Sequence, residues 1–264
     1  MEKSKVFRGY IVYHKEVPYG VTNNELYTPI QANAAKNGKI TAYGGVYDDE
    51  GDNISEWNTV FAETTCLYWI WKHHPKCKYV GFYQYRRRFD IQSEGQIEDI
   101  FKEHKAVAVE PLRFTIPVKW QYASCHSIKD LDRVEMIVKR LYPDYAESWD
   151  KYINEGCELH YALGVIMPSK DFDTYCEWLF SILFAFRDEM GWQRPEDART
   201  LVEKEINGGF RGNRDGNGST ADAVRYQTQI LGFLSERLFS LYLKHNYEKG
   251  ELFTLPYSKL EDCL

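Results

Sequence analysis

Three consecutive arginines, Arg86-Arg87-Arg88, stand directly behind an apolar run that closes on Gln84-Tyr85. The run Lys78 to Tyr85 has the composition of a strand buried on both faces of an α/β sheet. Side chains alternate along a strand, so at least one guanidinium faces the crevice at the strand end rather than water. A cation held there needs an anion, either a protein carboxylate or a ligand phosphate. The planar fork of arginine meets a phosphate with two parallel hydrogen bonds. Ligands of open α/β sheets bind beyond the carboxyl ends of the strands, which favours phosphate for this cluster.

A group-transfer reaction also needs a proton acceptor, and the sequence offers four: Glu63, His126, Asp130 and Glu236. Glu63 falls inside a helical pattern from Asn58 to His73 that is otherwise largely apolar, which would desolvate the carboxylate and raise its basicity. It reads equally well as a structural partner for one of the arginines. His126 follows a cysteine and precedes a helix, a place for capping, for phosphate binding or for proton shuttling. Glu236 and Arg237 are adjacent in an amphipathic helix, where an internal ion pair is the plainest reading. His160 and Tyr161 open a predicted strand and suit contacts to an acceptor. Trp120 lies in a predicted loop and is the tryptophan best placed to meet a sugar ring; most of the others read as core. His73-His74 before Pro75 reads as a helix end, where an imidazole suits the dipole. Asp48-Asp49-Glu50-Gly51-Asp52 has acidic groups spaced for a hard cation, but Asp48 to Glu50 read better as a solvated turn.

The elements that must hold these groups follow from pattern and length. A chain of 264 residues is one large domain or a domain with a small appendage. Lys plus Arg is 33 against 39 Asp plus Glu, a net charge of −6, which argues against a general nucleic-acid binder. Hydrophobic residues at 44% and charged residues at 27% are ordinary for a globular chain and argue against disorder, collagen or coiled coil. The aromatic share, 16% with 20 Tyr, supplies flat amphipathic surfaces for packing or for stacking of sugars and bases. Cysteines at 66, 77, 125, 157, 176 and 263 form no C-x-x-C and have no zinc spacing, which reads as reduced thiols in a cytosolic setting. The amino terminus lacks an apolar signal core, and no run of about 18 apolar residues occurs, so neither secretion nor a membrane span is expected.

Strands are expected at Phe7 to His14, weakly at Ile40 to Tyr47, at Lys78 to Tyr85, Ala106 to Val109 and His160 to Met167. Helices are expected at Asn58 to His73, Gln96 to Glu103, Asp130 to Tyr142, Tyr145 to Asn154, Ser169 to Met190 and Ala223 to Lys244. Pro18 to Pro29, Pro111 to Trp120 and the tail after Gly250 read as loop. Residues 199–221 are polar and rich in Gly and Asn, which suggests a flexible insertion. Alternating strands and helices give an α/β or mixed fold.

Several linked motifs resemble those of a bacterial glycosyltransferase family found in capsular, exopolysaccharide and lipopolysaccharide O-antigen gene clusters and long catalogued as a domain of unknown function. Gly51-Asp-Asn-Ile-Ser55 matches its G-D-N-I-S. Glu63-Thr64 with Leu67-Tyr-Trp-Ile-Trp-Lys72 matches E-L-T-x-x-Y-W-x-W-K, and Gln84-Tyr-Arg-Arg-Arg-Phe89 matches H-Y-R-R-x-F. Tyr122, His126, Ile128-Lys-Asp-Leu-Asp132, Tyr142-Pro-Asp-Tyr145, Phe172 to Phe180 and Gln229 to Leu238 continue the likeness, which spans roughly Val12 to Asn246. The chain departs from the pattern at Gln84, where histidine is usual, at Ala162, where asparagine is usual, and in the glycine-rich stretch Asn207 to Ser219.

The resemblance implies a GT-A-like, Rossmann-like mixed sheet flanked by helices, with a helical carboxyl-terminal part. It implies a single domain whose residues 1–120 serve a nucleotide-sugar donor and whose residues 121–264 serve the acceptor. The expected reaction moves a hexose, such as galactose in pyranose or furanose form, from a UDP-sugar to a saccharide or lipid-linked oligosaccharide, with inversion. Such enzymes usually hold a divalent metal on Asp-x-Asp; here the strand ends in Tyr85, Arg86, Arg87 and Arg88, so guanidinium charge, helped by Arg237, is expected in place of a required cofactor, with Mg²⁺ or Mn²⁺ as the alternative. Asp52 and Asn53 are expected at the donor, Glu63, Glu236 and His126 at the catalytic step, and Trp120, Asp130, His160 and Tyr161 at the acceptor. The setting is a bacterial cytoplasm, with a peripheral contact at the inner membrane face compatible with it and no nucleic-acid partner. Two other functions fit the same residues: a non-catalytic nucleotide- or carbohydrate-binding protein, and a metal-dependent nucleotidyl- or phosphotransferase, for which only the 48–52 turn offers acids.

Overall fold

The computed structural model describes residues 6–17, 20–75, 77–89, 91–209, 211, 219–256 and 258–259; the side chains of Arg88, Ser258 and Lys259 lie outside that description, as does Cys263. The first half of the chain forms β1 (Phe7–Tyr13), β2 (Tyr27–Gln31), α1 (Ala34–Asn37), β3 (Val46–Tyr47), α2 (Asn58–Phe61), α3 (Thr64–His73), β4 (Tyr79–Gln84), β5 (Arg87–Arg88) and α4 (Glu94–Glu103). Next come β6 (Ala106–Val109), β7 (Leu112–Arg113), α5 (Val118–Ala123), α6 (Ile128–Leu141), α7 (Ala146–Trp149), β8 (Glu158–Leu159) and β9 (Val165–Pro168). The remainder is α8 (Ser169–Glu189), α9 (Pro195–Asn207), α10 (Thr220–Gln227), α11 (Ile230–Asn246), β10 (Leu252–Leu255) and β11 (Ser258–Lys259).

The central sheet has the order β10-β6-β9-β4-β1-β2-β3, with β5 and β11 as a short antiparallel extension beyond β4. β1, β2, β3 and β4 are mutually parallel, whereas β9 runs antiparallel between β4 and β6. This is the expected mixed α/β sheet. β1 is buried at every position, as an inner strand covered on both faces must be. Gly9 and Gly81 lie opposite each other in the β1–β4 register. A Cβ at Gly9 would stand 2.8 Å from the Tyr27 ring and 2.9 Å from that of Tyr83, so the glycine makes room for two aromatic rings laid on the sheet.

One face of the sheet carries the larger core, formed with α3, α6, α8 and α11. α6 buries Leu131, Val134, Ile137 and Val138 along one stripe, and α11 is buried nearly all round. Each such side chain contributes roughly 1.5–3 kcal/mol by leaving water. The opposite face packs Phe7, Ile11, Tyr27, Tyr83 and Phe89 against Ile97 of α4 and the loops around it. Among the described residues no helix is long and apolar enough to cross a membrane.

Several expected elements differ. Residues 27–29, expected to close the loop from Pro18 to Pro29, belong to strand β2. The helix expected over Asn58 to His73 is broken at Ala62-Glu63. The predicted strand over His160 to Met167 is split: residues 160–164 form a turn and only Val165–Pro168 pairs in the sheet. Trp120, expected in a loop, sits on α5. The expected flexible insertion is largely structured where described: 199–207 belong to α9, Arg211 is buried and α10 begins at Thr220, while residues 210 and 212–218 lie outside the described part. The tail read as loop supplies β10, which pairs in parallel with β6.

Candidate active site

A cleft of about 710 Å³ opens beyond the carboxyl ends of β1, β2 and β4, where Val12, Ala32 and Gln84 reach its floor. This is where a doubly wound sheet offers a ligand its crevice. Asn58 to Glu63 close one side, and α9 and α10 form the opposite wall through Glu196, Arg199, Asp222 and Arg225.

The arginine cluster divides at this point. Arg86 lines the cleft beside Tyr85, its guanidinium 5.1 Å from the Tyr85 ring centroid. Arg87 turns the other way and lies 4.5 Å from the centroid of Tyr161. Among the described residues Arg86 and Arg199 form no ion pair. Lys36 also reaches the cleft and stands 3.7 Å from Glu196, while Arg225 pairs with Asp222 at 3.2 Å. The buried hydroxyl of Tyr85 and the buried Oδ1 of Asn33 make no hydrogen bond among the described residues, and both residues line the cleft.

Glu63 stands at the break between α2 and α3, not within a helix. Its Oε1 accepts a hydrogen bond from Gln84 Nε2 at 2.6 Å. Burial raises its carboxyl above the ordinary range, opposed by the Gln84 bond and by the charge of Arg87. Glu236 lies beside it on α11. Burial pushes the Glu236 carboxyl up to about 7, against the neighbouring Arg237 and with the charge of Glu63 adding to the rise. Glu236 accepts from the Ala162 backbone N–H at 3.2 Å and pairs with Arg237 at 3.0 Å. Arg237 in turn donates to Gln121 Oε1 at 2.8 Å and lies over the Tyr122 ring. Glu63, Gln84, Arg87, Tyr161, Glu236 and Arg237 therefore form one polar cluster that enters the cleft at Glu63 and Gln84.

The backbone around this cluster is held in unusual conformations. Asn33 has φ 60°, Ala62 has φ 49°, and Ala162 and Leu163 have φ 60° and 56°. Non-glycine residues rarely occupy this region, and strain of this kind concentrates at functional sites. Asp48 fixes the first of these turns. It is fully buried and accepts from the backbone N–H groups of Asn33 and Ala34, both at 2.9 Å, and from the hydroxyls of Ser55 and Thr65. Asp48 is thus no solvated turn residue. Asp49 and Glu50 pair with Lys39 instead. Among the described residues there is no group of three or more His, Cys, Asp or Glu side chains that could hold a metal ion.

Other expected site residues are placed elsewhere. Asp52 accepts from the Tyr68 hydroxyl at 3.0 Å, and Asn53 bonds the carbonyls of Asp49 and Gly51; neither lines the cleft. Asp130, expected at the acceptor, is buried against Arg211 at 2.8 Å and does not line the cleft. His160 is buried, its Nδ1 2.7 Å from the Val109 carbonyl, and burial pushes its imidazole down to about 4. His126 is buried in a ring stack, 4.0 Å from the centroid of Phe233, with Nδ1 3.2 Å from Gln227 Oε1. Trp120 is 56% exposed on α5, one residue before the Gln121 that holds Arg237. The side chain of Arg88 lies outside the described residues.

A family profile described as "Domain of unknown function (DUF4422)" matches residues 8–201, nearly three quarters of the chain. The chain belongs to this family. No curated protein matches it. Among solved structures it is similar to one titled "WbbM bifunctional glycosytransferase apo structure", with a TM-score of 0.72 and 23% identity over 96% of this chain. The likeness takes in 44% of that larger chain, and at this identity it establishes the fold.

In this DUF4422 chain the sequence reading did not single out Arg199, Arg225, Lys36 or Asn33. Arg199 and Arg225 were assigned to an insertion or to an ordinary helix. Their signal is helical spacing: Ala221, Asp222 and Arg225 fall on one face of α10, as do Glu196 and Arg199 on α9.

Proposed function

We propose that the cleft binds a nucleotide-sugar and that the adjoining cluster transfers its sugar, a hexose such as galactose, from a UDP-sugar to a lipid-linked oligosaccharide in surface-polysaccharide synthesis. The observation that carries this reading is that Arg86 and Arg199, without ion-pair partners among the described residues, line one cleft with Glu63, whose charge reaches Glu236 behind it. The glycosyltransferase fold of the solved neighbour supports it.

In this reading the diphosphate lies against Arg86 and Arg199, with Arg225 and Lys36 at the edge. The acceptor hydroxyl attacks the anomeric carbon and gives its proton to Glu236 as the bond to the diphosphate oxygen breaks; the bond's electron pair leaves with UDP. Negative charge grows on that oxygen, and fixed guanidinium groups are the countercharge available in the cleft. Glu63, bonded to Gln84, faces the sugar. Tyr161 and Trp120 lie on the acceptor side. The enzyme is inverting and needs no metal.

The test is melting temperature against UDP and UDP-hexoses, with and without EDTA, followed by UDP release in the presence of a lipid-linked acceptor. Binding to the native state alone raises the melting point. Stabilisation by UDP that survives EDTA and disappears in Arg86→Ala/Arg199→Ala is expected. Absence of any nucleotide response, or turnover that stops with EDTA and returns with Mn²⁺, overturns the assignment. Binding without turnover would leave a nucleotide-binding protein.

A further inference from the structure

Glycine is a poor helix former, yet Gly232 sits in the first turn of α11, wholly inside the protein. A Cβ added there would stand 2.7 Å from the Cβ of Ala62 and 3.4 Å from the Phe61 carbonyl oxygen. The first distance is shorter than two carbons tolerate, so one side would have to retreat.

Neither side is free to do so. Ala62 is the residue at which α2 breaks from α3, with φ 49° and ψ −137°. Its carbonyl accepts from Asn58 Nδ2 at 2.7 Å, and the same amide donates to Thr65 Oγ1 at 3.0 Å. Thr64 also bonds back to the Phe61 carbonyl. The break is therefore clamped from both ends. α11 is buried nearly all round against α2, α6 and α8, so it cannot swing out without opening the core.

Two spacings connect this contact to the cluster. Glu63 directly follows Ala62. Glu236 lies four residues after Gly232, one turn along the same face of α11. We propose that Gly232 is a positioning residue: its lack of a side chain lets α11 close on Ala62, and that approach sets Glu236 beside Glu63. The charged groups facing Glu236 are then Glu63 from the α2–α3 break, Arg87 from β5 and Arg237 from α11 itself, with the Ala162 N–H from the turn before β9. Gly232→Ala would lift α11 at this point and draw Glu236 away from Glu63 and toward water.

This role rests on the transfer reading of the site, but the two fail separately. A Glu236→Gln protein that still transfers sugar would end the proton-acceptor role, whereas the experiment here needs no substrate. Protein labelled with ¹³C at glutamate carboxyls is titrated by NMR, and the Glu236 resonance is assigned by its loss in Glu236→Gln. The wild type should titrate near 7. Gly232→Ala should titrate lower by about one pH unit, because both burial and the Glu63 charge weaken. The double variant Ala62→Gly/Gly232→Ala removes the collision and should return to the wild-type value. A folded Gly232→Ala with an unchanged titration overturns the proposal. Should that variant not fold, the double variant decides: a folded protein with wild-type titration supports the contact as the positioning device, and failure to fold or a lowered titration overturns it.

Discussion

Arg211 Nη1 lies 2.8 Å from Asp130 Oδ2, and its Nη2 lies 2.8 Å from Glu205 Oε2. The Arg211 and Asp130 side chains are only 1% and 7% exposed. This buried triad ties the segment following α9 to the first turn of α6, and so braces the wall of the cleft that carries Arg199 and Arg225. Arg211→Ala leaves the Asp130 carboxylate buried without its partner, which should cost about 3–5 kcal/mol of stability. Urea denaturation checks it. Replacing all three residues together by Met and Leu should recover most of the loss, and a Arg211→Ala midpoint equal to wild type would refute the brace.

His74 ends α3 with its Nε2 2.8 Å from Asp173 Oδ1. Burial pulls the imidazole down, but bonds to Cys77, Asp173 and the Pro75 carbonyl, with the charge of Asp173, outweigh it and push it up to about 9. A folded value above the unfolded one means that the bound proton favours the native state. The contribution is full below about pH 6.5 and is lost as pH rises through about 9. It should amount to about 1–2 kcal/mol, since half of Asp173 is open to solvent screening. His74→Gln should flatten the fall in melting temperature between pH 6.5 and 9; a wild type without such a fall would contradict the pairing.

Asp48 makes a different demand. Its two oxygens receive two backbone N–H groups and two hydroxyls in a fully buried position. Asp48→Asn would turn an amide N–H₂ toward donors and should cost about 2–4 kcal/mol. Because the Asn33 turn lines the cleft, UDP affinity should fall with it. Mn²⁺ should leave the wild-type melting temperature unchanged. A metal-induced rise that Asp48→Asn abolishes would instead identify a cation site.

The sequence made some of this legible and concealed the rest for physical reasons. β4, β6, α6 and α8 carry strong periodic patterns with clear boundaries, such as Pro143 after α6. The place of the arginine cluster followed from the buried strand before it. The break at Ala62 was hidden because nothing local forbids a helix there; the bonds from Asn58 and Thr64 that clamp it have no signature in the apolar pattern. β2 was hidden by Pro29, which lacks the donor that most strand positions use. β10 was hidden because a short strand at a sheet edge needs only β6 as its template. The partners of Asp130 and His126 were equally out of reach. Arg211 sits in a stretch whose composition reads as unstructured, and Phe233, which stacks on His126, lies on a different helix. A buried carboxylate or imidazole can serve packing or chemistry, and only the tertiary partners separate the two.

Glu236 gives the sharpest reading of the chemistry. A carboxylate must be ionised to accept the acceptor's proton, and burial with the charge of Glu63 holds this one up to about 7. The rate of transfer should therefore climb as pH rises through about 7 and fall away on the acid side, where Glu236 is protonated and cannot act. Glu236→Gln should lower kcat by about 10²–10⁴-fold while leaving the UDP-induced shift in melting temperature intact, since the proposed diphosphate contacts are Arg86 and Arg199. Glu63→Gln removes one of the charges that raises Glu236, so the acid limb should move to lower pH in that variant. A pH profile that stays flat from 5 to 8, or a Glu63→Gln profile displaced upward, would assign the proton transfer to another group.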